Sequence, residues 1–258
     1  MTIPQKTANT LLQIAINRSD PEAVIEALSL GASVNIPVDY DLILEDRPGR
    51  TRLYRNPRHL VTMATLFAMY SESGREVLKL MIAAGVDMNP VDEDPYLTPV
   101  GVVSNCPDET VDTMVTLLHD AGADFINAFG AGGFLLKSLY EGRDWQSVVK
   151  RMPIFLNALE AYPDTLKEMI NIGYDDGIRL IHLIAKNYAN STIDKHEAMG
   201  KILISLARNG ADIEYKAKPG QRNVVELLHA HPAMIQELIA NRVQYGFDFS
   251  NPNKRPRL

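Results

Sequence analysis

Ala84-Gly85-Val86-Asp87-Met88-Asn89 is the stretch that decides the fold, because it recurs. Copies stand at Leu30-Gly31-Ala32-Ser33-Val34-Asn35, at Ala121-Gly122-Ala123-Asp124-Phe125-Ile126-Asn127 and at Asn209-Gly210-Ala211-Asp212-Ile213-Glu214. Ile172-Gly173-Tyr174-Asp175 is a weaker copy. The shared order is small, Gly, small, Asp or Ser, apolar, Asn. The glycines fall at 31, 85, 122, 173 and 210, so their spacings are 54, 37, 51 and 37 residues. Glycine takes the left-handed conformation that ends a helix without Cβ strain, and a short carboxylate supports the turn that follows. A turn signal that returns at such a period marks a repeat architecture.

Upstream of the copies the chain is amphipathic. Val111, Met114, Val115 and Leu118 fall at i, i+3, i+4 and i+7, as do Met199, Ile202, Leu203 and Leu206, and Val77, Leu80, Met81 and Ala84. Each set is one apolar stripe on a helix. Asp20-Pro21-Glu22 reads as a helix start, with a cap, a proline at the first turn and an acidic residue near the positive dipole end. Ser73-Gly74-Arg75-Glu76 has the spacing of a capping box. A shorter helix is expected before each long one, over Thr10–Ala15, Thr98–Val103 and Arg179–Ala185.

With its short helix, long helix and Gly-Ala-Asp-x-Asn ending, the chain resembles the ankyrin-repeat family over about Thr7 to Arg242. The resemblance implies an all-α solenoid of stacked helix pairs, about six units within residues 1–242, followed by a tail over 243–258. The departures locate insertions, since a consensus unit has about 33 residues. The largest lies at 37–58. Extra residues around 186–196 are expected to lengthen a connection between helices. An irregular unit covers about 127–174, with apolar stretches at 134–140, 145–149 and 153–159, and a capping unit covers about 215–242. Gly and Asp of the turns, and His182 at the family's usual histidine position, are expected to support structure.

Composition sets the outer limits. The chain has 258 residues, 46 % of them hydrophobic and 22 % charged, which is ordinary for a folded protein and unlike a disordered one. Lys and Arg number 26 against 32 Asp and Glu, and the net charge of −6 disfavours non-specific nucleic-acid binding. One cysteine, Cys106, excludes an internal disulfide and a thiolate-rich metal site. With no apolar leader core and no long apolar run, an intracellular location is expected, in cytoplasm or nucleus.

Ankyrin arrays act as binding scaffolds, so the resemblance implies a non-enzymatic module, a monomer, that binds another protein through finger loops and a concave face. The 37–58 insertion is the leading candidate. It reads as a β-hairpin-like finger, Tyr40 to Asp46 and Thr51 to Arg55 flanking Pro48-Gly49, with one acidic and one basic arm. Tyr40, Arg47, Arg50, Arg52, Tyr54 and Arg55 are its candidate partner-binding residues, because interfaces favour Arg and Tyr. The competing reading pairs the opposite charges across the finger and leaves it merely solvated. Trp145, the one tryptophan, is a further candidate anchor. Lys254, Arg255 and Arg257 in the tail resemble a minimal nuclear-import signal. The irregular units also resemble diverged arrays that intracellular bacteria use as secreted effectors inside a host cell.

No catalytic or metal-binding pattern emerges, and no cofactor is expected. His229 and His231 lack acidic or cysteine ligands at metal spacing, His196-Glu197 lacks the second histidine of a zinc protease, and Gly130–Gly133 lacks a following Lys-Ser/Thr. Asn190-Ser191-Thr192 fits a glycosylation sequon that an intracellular chain does not use. Two rival readings stand: an enzyme with its site in 124–174, and a nucleus-acting nucleic-acid-associated protein that uses Arg50, Arg52 and Arg55.

Overall fold

The computed structural model describes residues 4–38, 42–47, 50–54, 59–91, 97–126, 136, 139, 145–174 and 177–243, with side chains described outside 42–54 and 193–194. These residues form twelve helices and a single two-stranded pairing, so the protein is all-α apart from that pairing. The chain divides into two compact units, Met1–Ala131 and Gly132–Leu258.

In the first unit, α1 (Gln5–Asn17), α3 (Leu60–Ala68) and α5 (Pro99–Val103) pack in succession. Each pairs with the helix that follows it: α2 (Pro21–Ser29), α4 (Glu72–Ala83) and α6 (Val111–Asp120). Helix α2 also packs on α4. The apolar stripes drive this arrangement, since each helix buries its stripe against the helices packed on it. Val111, Met114, Val115 and Leu118 are all buried. The stripe on α4 differs from expectation: Val77, Leu78 and Met81 form it, whereas Leu80 is half-buried and Ala84 is exposed as the C-cap. Helix α3 lies between α1 and α5 as well as on α4, so it is buried on nearly every side. Its two threonines are satisfied there: Thr65 Oγ1 donates to Val61 O at 2.8 Å and Thr62 Oγ1 to Leu97 O at 2.8 Å.

Caps start these helices. Asp20 accepts from Ala23 N at 3.0 Å and Thr98 from Gly101 N at 3.0 Å. At α4 the cap is Ser71, which accepts from Gly74 N at 2.9 Å, so Ser73 lies inside the helix and forms no capping box.

The second unit holds α7 (Trp145–Leu159), α8 (Pro163–Ile170), α9 (Leu180–Asn190), α10 (Ile193–Arg208), α11 (Val224–Leu227) and α12 (Pro232–Val243). Helix α9 packs on α10 and α11, and α10 packs on α7 and α12. Two apolar stretches that the sequence separates, 145–149 and 153–159, belong to α7 alone, which continues through Pro153. The extra residues around 186–196 do not lengthen a connection. They extend α9 to Asn190 and start α10 at Ile193, because their apolar positions continue the helical period.

Candidate interaction surface

The recurring turns share one backbone geometry. At Gly85 (φ +79°) the amide donates to Ile82 O at 3.0 Å and the Val86 amide to Met81 O at 3.1 Å. That is a Schellman closure, which satisfies the last carbonyls of the helix. Gly31, Gly122 and Gly210 repeat it, with φ values of +89°, +78° and +90°. The aspartates close the next turn on themselves: Asp87, Asp124 and Asp212 accept through Oδ1 from Asn89 N, Ile126 N and Glu214 N, at 2.9, 2.8 and 3.1 Å. Gly173 departs from the set. Its φ is not positive, and the left-handed glycine nearby is Gly177 (φ +73°), so the backbone at Gly173 does not repeat the turn.

Among the described residues, Asn35 and Asn89 tie their turns to the next, and Asn171 makes the same tie from a helix cap. Asn35 Nδ2 donates to Gly85 O at 3.3 Å while its Oδ1 accepts from Asp87 N at 2.7 Å. Asn89 holds Gly122 O at 3.0 Å and Asp124 N at 2.6 Å. Asn171, at the C-cap of α8, holds Gly210 O at 2.9 Å and Asp212 N at 3.0 Å. At the first turn the same two backbone groups are met from α1: Gln5 Nε2 donates to Gly31 O, and Asn9 Oδ1 accepts from Ser33 N at 2.9 Å. The recurring Asn is legible in the sequence. Its replacement by Asn171, and by Gln5 with Asn9, is not, because those residues belong to helices and their caps, outside the pattern.

In the second unit Asn171 belongs to a larger node. Arg179 Nη1 donates to Asn171 Oδ1 at 3.0 Å and lies 3.6 Å from Asp212 Oδ2, and the guanidinium carbon stands 3.5 Å from the centroid of the Tyr215 ring. Burial lowers the pKa of Arg179 from its ordinary value, against the opposing pull of Asp212 and Tyr215. No sequence pattern marks this arginine. Its only signal is a cation one residue before a helix.

His182 is buried beside the node, and its Nε2–H donates to Tyr215 O at 2.9 Å. This agrees with the structural role expected for it. The hydrogen on Nε2 leaves Nδ1 bare, buried and without a partner. Burial holds the folded-state pKa below the ordinary 6.5. The unfolded chain therefore takes up the proton first as pH falls, and stability drops from just above 6.5 down to the lower folded value. Urea midpoints compared between about pH 7.5 and about pH 5.5 should fall less steeply for His182→Gln than for the parent. Equal slopes would show that His182 does not carry the acid sensitivity.

The 37–58 insertion leaves and returns at one place. Pro37 and His59 form an isolated antiparallel bridge, Leu60 N donates to Ile36 O at 3.4 Å, and His59 Nε2 contacts Val91 O of the following turn at 3.2 Å. Beyond that base, β1 (Leu42–Arg47) pairs antiparallel with β2 (Arg50–Tyr54). The register sets Leu42 opposite Tyr54, Leu44 opposite Arg52, Glu45 opposite Thr51 and Arg47 opposite Arg50, with an irregularity between Glu45 and Arg47. No carboxylate position is paired directly with an arginine position, and the Arg47 and Arg50 positions pair with each other. Of the candidate residues, Arg47, Arg50, Arg52 and Tyr54 thus lie on one strand pair, and Tyr40 and Arg55 lie outside the described residues. Trp145 is the first residue of α7, in the other compact unit, and is half-buried. Lys254, Arg255 and Arg257 lie outside the described residues.

Cys106 is fully buried, with Sγ 3.1 Å from Thr110 Oγ1. His196 stacks on Tyr188 with ring centroids 4.4 Å apart, and His231 stands edge-on to both at 5.1 Å. Much of the 124–174 region falls outside the described residues, and Met152, Phe155, Leu156 and Leu159 within it are core. No described helix is long and apolar enough to cross a membrane. Neither a scan against protein-family models nor a search of curated proteins finds a match for this chain.

Proposed function

We propose that this chain is a diverged ankyrin-type solenoid whose work is to bind another protein, with the inserted strand pair as its principal contact element. The observation that carries this reading is the repeated tie between turns. Asn35 and Asn89 each hold the backbone of the following turn, and between them the chain departs at Pro37 and returns at His59. A rigid frame with one long excursion is the usual way a repeat protein presents a recognition loop. The arginines of the strand pair, Arg47, Arg50 and Arg52, favour a partner with carboxylates, because guanidinium groups recognise them by charge-assisted hydrogen bonds.

The test is affinity capture from cell lysate with three baits: the parent chain, a chain lacking residues 40–55, and Arg47→Ala/Arg50→Ala/Arg52→Ala. The parent should retain partners that both variants lose, with far-ultraviolet circular dichroism unchanged outside the deleted segment. The same partners at the same recovery from all three baits would remove the strand pair from the binding role. Recovery that falls with nuclease treatment and with salt would favour the nucleic-acid reading instead.

A further inference from the structure

We infer that the outer face of the α1–α2 pair is a contact surface for a second copy of this chain. In the first unit α1 packs on α3 and α2 on α4, which leaves one side of the pair facing away from the stack. That side is not polar. Leu11 and Ile14 on α1 are 39 % and 41 % exposed, and Ile25 on α2 is 53 % exposed. A face of a stacked unit that no described neighbour covers is ordinarily polar. Another stacked unit would also find no tie here: Gly31 O and Ser33 N, the groups such a unit would hold, are already taken by Gln5 and Asn9.

The face is complementary to itself. Leu11, Ile14 and Arg18 fall at i, i+3 and i+7, and Glu22, Ile25 and Ser29 fall at the same spacing on α2, with Glu26 adjoining. The two helices are joined by the short connection Arg18–Asp20, so Arg18 and Glu22 stand at the same end of the pair. Arg18, Glu22 and Glu26 are exposed and have no ion-pair partner among the described residues. A two-fold axis parallel to the helices sets α1 of one copy against α2 of the other. It brings Ile14 onto Ile25 and Arg18 onto Glu22, twice over. Three aliphatic anchors per copy and two rim ion pairs describe a small, weak interface, concentration-dependent rather than obligate. Nothing in the residue pattern by itself points beyond a monomer. This inference does not rest on the strand pair, because none of its residues lies between 37 and 58.

Sedimentation velocity on the full chain, over about 1 µM to about 1 mM at low salt, tests it. The parent should pass from monomer to dimer within that range. Ile25→Glu should remain monomeric throughout while its thermal unfolding stays close to the parent's, since Ile25 is largely exposed. Arg18→Glu and Glu22→Arg should each self-associate about tenfold more weakly than the parent. An equimolar mixture of those two variants should recover the parent's dimer. The first variant carries carboxylates at both rim positions and the second carries guanidinium groups at both, so each is complementary to the other and not to itself. A parent that stays monomeric over the whole range, or association indifferent to Ile25→Glu, would overturn the inference. So would a mixture no stronger than its components.

Discussion

Phe125→Ala should cost the protein about 3–5 kcal/mol, the range for an aromatic deleted from a packed core. Phe125 is fully buried and is the largest side chain at its position in the turn. That position is buried in every copy: Val34, Met88 and Ile213 occupy it elsewhere. The residue therefore closes the space beneath a Schellman turn that cannot follow it inward, because Gly122 and Asp124 are fixed by Asn89. Urea unfolding followed by circular dichroism measures the effect, with Tyr162→Ala, 41 % exposed, as a near-neutral control. A loss under about 1 kcal/mol would mean that the turn collapses into the cavity after all.

Gly74→Ala should destabilise, against the usual gain of up to about 1 kcal/mol for that change inside a helix. A Cβ at residue 74 would stand 2.6 Å from Phe67 O and 2.7 Å from Phe67 C, both backbone atoms of α3, and 2.8 Å from Ser71 Oγ. Neither backbone atom can move without shifting α3, which is packed on nearly every side. The expected loss is about 1–3 kcal/mol, and Ser71 should be displaced as a cap. Gly200→Ala makes the contrast. Its Cβ would crowd only the terminal methyl of Met234, at 2.7 Å, the free end of a flexible side chain, so the change should lie near neutral. If both variants unfold at the parent's denaturant midpoint, the close approach of α3 and α4 is relaxed in solution.

The difference between those glycines bears on what a sequence can reveal. Turn glycines are legible because a positive φ and a following Asp leave a fixed mark at a fixed place. Gly74 is not, since its requirement comes from a neighbouring helix. Helix α3 shows the same limit. Buried on nearly all sides, Leu60–Ala68 has no polar face, so it lacks the amphipathic period that reveals α6 and α10. Ser73 has the spacing of a cap, but Ser71, two residues earlier, is the residue that accepts from the free amide of Gly74. Gly173 matches the turn by residue type although its backbone does not take that form. At the candidate site, the arginines of the insertion stand out as composition and the register of their strands does not. The Arg179 node is silent because Asn171, Arg179, Asp212 and Tyr215 are spread along the chain and form no contiguous motif.

The asparagine ties have a consequence for how such a chain can change over time. Each holds a carbonyl and an amide of the next turn, and neither group depends on which side chain the residue carries. What joins neighbouring units is thus blind to composition. It is also blind to length, since 50 residues separate Asn35 from Gly85 and only 33 separate Asn89 from Gly122 while the joint is the same. Chain can be added or removed between two ties while the tie itself stays the same. On the repeat reading proposed above, the 37–58 segment is that freedom already used, and Val91, just past the second tie, is where another excursion would be accepted.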